Sequence, residues 1–214
     1  MLNILAGPNL QQFRIHRGLL AALSEEMRQL VYKGAKEGSK EQVGDSDLKL
    51  PEASEEIMAY LSEFCYTGDY NADSGMWDHC RLKPGTTSHA TENTEDQEKA
   101  LVHARLYVFA KRYNIEALQV LAMDSLLKFM ANATIEGVGL IPCLVGYALG
   151  NIPEAQITDR LVVFLAKCTA WVTQSKSTSS KQFHRLLASV SRKDFFTVFC
   201  EYMESDNHYI SRPW

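Results

Sequence analysis

No stretch of this sequence stays apolar for long enough to cross a bilayer. The most apolar one, Val138–Ile152, is interrupted by Pro142, Gly146 and Gly150 and falls short of the roughly 20 residues a span needs. Met1–Asn9 has neither a basic flank nor an apolar run of signal-peptide length, so an intracellular protein, cytoplasmic or nuclear, is expected. Cysteine is scarce: Cys65, Cys80, Cys143, Cys168 and Cys200 are an odd number with no Cys-x-x-Cys pair. That argues against a disulfide framework and for reduced thiols, three of them inside apolar helical patterns where they act as small hydrophobes. Positive charge is also thin, 22 Lys and Arg against 26 Asp and Glu, for a formal net charge of −4. No Lys/Arg cluster is dense enough to follow a phosphate backbone, so no nucleic-acid partner is expected. The absence of any internal period of 20–50 residues excludes an appended solenoid or propeller. Asn132-Ala133-Thr134 matches a glycosylation acceptor but reads as a helix end followed by a new cap.

What is present is the composition of a globular protein, 46% apolar and 22% charged. A chain of 214 residues can bury one sizeable core, or one core with a helical annex. Leu2–Ala6 and Gln12–His16 are short apolar-rich runs split by Gly7-Pro8-Asn9, which supply the dihedrals of a reversal and predict a β-hairpin. Arg17–Leu23 follows, short and apolar. Ser24-Glu25-Glu26 then starts a helix to about Tyr32, the hydroxyl accepting an orphan N–H and the acids suiting the dipole. Lys33–Gln42 is a charged connector, and Asp47–Leu50 predicts a short strand before Pro51. Ser54 caps the next helix, whose apolar face is Ile57, Tyr60, Leu61, Phe64 and Cys65.

Asn71–Lys99 is acidic with few, unperiodic apolar residues, and a flexible insertion is expected there. A helix pair follows from Leu101. Val102, Leu106, Phe109, Ala110 and Tyr113 share one face, Ile115, Leu118, Ala122 and Phe129 the next, and Asn114 makes the turn. Beyond Thr134 the pattern is all-helical. A helix is expected from Ile152-Pro153-Glu154 to about Val172, with Pro153 at a position that tolerates a missing N–H. After a polar linker, Ser175–Ser180, two more are expected over Gln182–Val190 and Asp194–Met203, the last lined by Phe195, Val198, Phe199 and Tyr202.

Three segments in this order carry a family resemblance. Phe13-Arg14-Ile15-His16-Arg17-Gly18-Leu19-Leu20 resembles F-x-V-H-K/R-x-x-L; Leu61-Ser62-Glu63-Phe64-Cys65-Tyr66-Thr67-Gly68 resembles L-x-Y/F-x-Y-T-G with one residue more between Leu61 and Phe64. Tyr107-Val108-Phe109-Ala110-Lys111-Arg112-Tyr113-Asn114-Ile115-Glu116-Ala117-Leu118 resembles Y-x-x-A-x-K/R-Y-x-I/M-x-x-L. All three are segments of the BTB/POZ family, and the lone-BTB proteins of filamentous fungi look closest. The resemblance implies an α+β chain: a BTB/POZ fold, a small β-sheet flanked by a cluster of α-helices, over residues 1–131, with the acidic insertion at about 71–99. An all-helical C-terminal extension would occupy 132–214. It implies a non-enzymatic protein-interaction module with no cofactor, no metal and no small-molecule substrate.

Its expected partner is another protein or a second copy, the homodimer forming through residues near Arg17–Tyr32. The alternative is a cullin, were the chain a substrate adaptor of a cullin-RING ubiquitin ligase docking through Tyr32–Glu37, Tyr66–Tyr70 and Val102–Leu118. The partner-binding residues so implied are Arg17, Tyr32, Ala35, Glu37, Tyr66, Tyr70, Tyr107 and Tyr113. The chain departs from the family pattern in opening on the first strand, without the helix and strand that many members exchange. It also lacks the acidic residue before that strand that would complete a charged pocket with Arg17. In the hydrophobic-x-Glu position of cullin binders, Ala35-Lys36-Glu37 offers a small anchor.

Catalytic and metal readings find less footing. His16 stands alone at a strand–helix junction, without the base-and-orienter set catalysis demands, and is expected to be satisfied locally. His79, Cys80, His89 and His103 have zinc-type side chains but no compact ligand spacing. A hydrolase or metal enzyme built on His79, Cys80 and His103 is therefore the remote alternative. The aromatic stripe Phe195, Phe196, Phe199 and Tyr202 reads as helix core, with a partner groove as the other reading.

Overall fold

The computed structural model of the chain describes residues 1–32, 47–72, 92–132, 140–153, 159–174, 193–204 and 213. It is mixed α+β, with a three-stranded sheet and eight helices among the described residues. Strands β1 (Leu2–Ala6) and β2 (Gln11–Ile15) pair antiparallel, Leu2 opposite Ile15 and Ala6 opposite Gln11. The turn between them uses positive φ at Gly7 (71°) and Leu10 (53°), and the Leu10 N–H donates to the Gly7 carbonyl at 3.1 Å. A third strand, β3 (Leu48–Leu50), lies parallel to β1, giving the order β2-β1-β3. A parallel neighbour needs a long crossover, and the two short helices that follow β2 lie within it. Alternation along β1 buries Leu2, Ile4 and Ala6, joined by Ile15 and Leu50.

Helix α1 (Arg17–Ala22) starts directly after His16, and α2 (Glu25–Tyr32) packs on it. Ser24 caps α2 as its side chain predicts: Oγ accepts the Met27 N–H at 3.0 Å. The same hydroxyl donates to the Tyr113 carbonyl at 2.6 Å. Helix α3 (Glu55–Thr67) is capped by Ser54, whose Oγ accepts the Ile57 N–H at 3.2 Å. It stops at Gly68, whose φ of 75° is the left-handed conformation a helix end commonly adopts. Ile57, Tyr60, Leu61 and Phe64 are buried as their spacing predicts, and Met58 joins them fully buried, while Cys65 sits at the margin. Each large member of that face contributes roughly 1.5–3 kcal/mol by leaving water.

Two expectations are corrected here. The acidic segment does not last to Lys99: helix α4 runs Glu92–Arg112, 21 residues. The stretch Glu95–Ala100 is built of good helix formers, and a charged helical face shares its composition with a linker. Nor does α4 bury one face only. Leu101, Val102, His103, Ala104, Leu106, Tyr107, Val108, Phe109 and Ala110 are all buried, so its periodicity is blurred by burial on nearly every side.

After a turn at Asn114 (φ 52°), helix α5 spans Glu116–Asn132. Its buried side is Leu118, Ala122, Met123, Leu126 and Met130; Phe129 is half-buried at the edge.

Three further helices follow, α6 (Leu140–Asn151), α7 (Arg160–Gln174) and α8 (Lys193–Glu204), with α6 and α8 both packing on α7. The helix expected to start at Pro153 starts at Arg160 instead. Asp159 is its cap, Oδ1 accepting the N–H groups of Leu161 at 2.9 Å and Val162 at 3.1 Å. Ile152 closes α6 with an N–H bond to the Ala148 carbonyl at 2.9 Å. The connector Lys33–Gln42, the helix expected over Gln182–Val190 and residues 73–91 of the expected insertion lie outside the described residues.

The chain forms two compact units. Unit 1 is Met1–Thr87 with Arg105–Ala122, and unit 2 is Ser88–Ala104 with Met123–Trp214. The division thus passes within α4 and within α5, where sequence reasoning places it between elements at 131/132. No helix is long and apolar enough to cross a membrane among the described residues.

Candidate functional site

Six large apolar side chains stand exposed among the described residues: Met1, Leu10, Leu19, Tyr32, Tyr66 and Val120. All belong to unit 1. Three of them lie around His16, where β2 gives way to α1. Met1 precedes Leu2, the partner of Ile15, so the antiparallel register places it beside His16. The Leu19 N–H donates to the His16 carbonyl at 3.0 Å. Tyr66 Oη lies 2.8 Å from His16 Nδ1 and accepts the His16 backbone N–H at 3.2 Å, with the two rings edge-on at 5.7 Å. Met1 is 63% exposed, Tyr66 49% and Leu19 37%. A phenol tied at its oxygen and open on its ring is a rigid apolar platform, because the ring has given up its rotamer freedom before any partner arrives.

The end of α3 holds Tyr66 in place through a dense set of local bonds. Thr67 Oγ1 accepts the Asp69 N–H at 3.1 Å and has the Glu63 and Asp69 carbonyls at 2.9 and 2.7 Å to receive its proton. The Gly68 N–H donates to the Phe64 carbonyl at 2.9 Å, and the Asn71 N–H to the Glu63 carboxylate at 3.2 Å. Tyr70 turns inward from this knot, its ring edge-on to Tyr60 at 5.8 Å.

Of the residues the family resemblance proposes for partner binding, Arg17 is half-exposed beside His16, and Tyr32 and Tyr66 are exposed. Ala35 and Glu37 lie outside the described residues. Tyr70, Tyr107 and Tyr113 are buried, at 6%, 4% and 8% exposure. Tyr113 instead joins unit 1 together. Its hydroxyl donates to Glu52, and its carbonyl accepts from Ser24. Burial, reinforced by the hydrogen bond to Glu52 and its negative charge, holds the phenol well above its ordinary range. Met1 and Leu19 are the participants that motif reasoning passes over. The signal for Leu19 is its place one residue before the buried Leu20, which turns it to the other side of a short helix.

His16 is satisfied locally, as expected. Among the described residues no group of three or more His, Cys, Asp or Glu side chains is placed to hold a metal ion. His103 is buried, its ring 6.3 Å from that of Phe129, whereas His79, Cys80 and His89 lie outside the described residues. Cys65, Cys168 and Cys200 carry free thiols. Burial pushes the Cys65 thiol up to about 12 and Cys168 well above its ordinary value, so neither supplies a thiolate at neutral pH. What the site offers is apolar contact area with Arg17 at its margin. No protein-family model, no curated protein and no solved structure matches this chain.

Proposed function

We propose that this chain is a non-enzymatic protein–protein interaction module of BTB/POZ type that associates with itself or scaffolds other proteins. The observation that carries the reading is the exposed cluster of Met1, Leu19 and Tyr66, with Tyr66 pinned to His16 at 2.8 Å. Aromatic residues, Met and Arg are the side chains enriched at interface centres, and a pre-ordered anchor lowers the entropy lost on docking. The order of elements supports the family assignment. A hairpin opens into a helix pair at the Phe13–Leu20 segment, a parallel strand follows, and a capped helix ends at Tyr66-Thr67-Gly68. Light scattering on the purified chain tests the reading. The expected result is a mass that rises with concentration in the micromolar range and stays monomeric in Leu19→Asp. A wild-type chain that remains a monomer throughout overturns self-association.

The exposure of Tyr66 at the end of α3 keeps a second reading, a cullin-RING ligase adaptor, in view. Calorimetry against the N-terminal domain of a BTB-linked cullin addresses it: binding lost in Tyr66→Ala supports an adaptor, and no heat from a folded sample removes it.

A further inference from the structure

The sheet has two faces of opposite character. The inner one is the buried set around Ile4, and alternation leaves Asn3, Leu5, Gln12, Arg14 and Lys49 on the other. Arg14 stands opposite Asn3, and Leu5 lies between Gln12 on β2 and Lys49 on β3. Gln12, Arg14 and Lys49 are exposed, Asn3 and Leu5 half-buried. The face carries two cations and no carboxylate, in a chain whose formal net charge is −4. Neither Arg14 nor Lys49 has an ion pair or side-chain hydrogen bond among the described residues.

Strand geometry sets the spacing. With strands about 4.8 Å apart and about 3.3 Å per residue, Arg14 and Lys49 stand roughly 12 Å apart across the sheet. In an extended peptide, carboxylates at positions i and i+4 are separated by about 13 Å and share a side with residue i+2. We propose that this open sheet face docks an extended acidic segment of a partner protein, of the pattern acid-x-apolar-x-acid. Its carboxylates meet Arg14 and Lys49, and its central apolar side chain rests on Leu5. Charge complementarity selects the occupant. Two cations are too few for the run of phosphate contacts that nucleic-acid affinity is built from, while they match two carboxylates of a peptide.

The inference rests on the reading of the chain as an interaction module but uses a different surface from the Leu19–Tyr66 cluster. The test is amide NMR on the isotope-labelled full chain, titrated with the peptide Glu-Thr-Val-Thr-Glu, blocked at both ends. The expected result is a set of shifts at Leu5, Gln12, Arg14 and Lys49 that weakens with added salt. The double variant Arg14→Glu with Lys49→Glu should lose about tenfold in affinity, the size of two exposed ion pairs reversed. It should also gain binding of Lys-Thr-Val-Thr-Lys. No shifts on this face, an equal response to both peptides, or an oligothymidylate that moves the same amides as strongly would each overturn the proposal. A chain that self-associates while the peptide leaves the sheet untouched sinks this inference alone. A monomer whose sheet face still takes the peptide sinks self-association alone.

Discussion

In unit 1, side chains reach across the chain to join remote segments; in unit 2, Thr169, Thr173, Asn151 and Thr197 each return a hydrogen bond to their own helix four residues back. Ser24 binds Tyr113, 89 residues on, and Tyr113 binds Glu52, 61 residues back. Arg105 pairs with Glu56 at 3.2 Å, and His16 with Tyr66. Both units bury apolar side chains fully, Leu61 and Leu118 in unit 1 and Leu161, Val162, Leu165 and Phe195 in unit 2. Apolar burial is strong and non-directional, whereas a hydrogen bond fixes a distance and an angle. In unit 1 such long-range hydrogen bonds set the frame that displays Tyr66.

The largest test of that contrast is a truncation in each unit. Leu61→Ala in unit 1 and Leu161→Ala in unit 2 both remove a fully buried leucine and should each cost about 2–5 kcal/mol. Read by peptide-resolved hydrogen exchange, each should raise exchange first in its own unit. Equal opening of both units by either variant would dissolve the distinction.

Next in size is an alkaline effect confined to unit 1. An unfolded tyrosine ionises near pH 10, while Tyr113 in the fold holds its proton higher. Above about pH 10 the unfolded state therefore binds fewer protons than the folded one, so stability falls as pH rises, by at most about 1.4 kcal/mol per pH unit. Exposure of Glu52 at the other end of the bond keeps the real slope below that ceiling. Urea denaturation at pH 9 to 11 should show a shallower decline in Tyr113→Phe than in wild type; parallel curves would remove Tyr113 as the cause.

Cap deletions, one in each unit, come next. Ser54→Ala and Asp159→Ala each strip an acceptor from helix N–H groups and should cost about 0.5–2 kcal/mol. An Asp159 loss near the top of that range and a Ser54 loss near the bottom would follow from the two N–H groups Asp159 serves.

The smallest effect is chemical. Alkylation at neutral pH followed by mass spectrometry should label the exposed Cys200 well before Cys65, whose thiol burial disfavours as thiolate. Equal rates would mean that α3 opens readily.

Much of unit 1 is legible without coordinates because its signals are local. Gly7 for the reversal, Ser24 and Ser54 for helix starts, and Asn114 for the turn each act on their own neighbours. The apolar face of α3 is likewise a matter of spacing. What escaped is what neighbours decide. Glu95–Lys99 is helical while sharing the composition of a linker, and the start of α7 is set by the Asp159 carboxylate, which accepts two N–H groups. Tyr107 and Tyr113 match a family pattern in the sequence, but a pattern does not say which way a ring turns. In a helix buried on nearly every side, no periodicity remains to say it.

The bond between Ser24 and the Tyr113 carbonyl has a consequence for synthesis. A chain made from its N-terminus displays the hairpin, α1, α2, β3 and α3 long before the turn at Asn114 exists. Until that turn arrives, Ser24 lacks its second partner, Glu52 lacks its phenol, and Arg105 has not yet reached Glu56. The segments that precede α4 are completed only after it, so a nascent chain halted before α4 holds a half-built core.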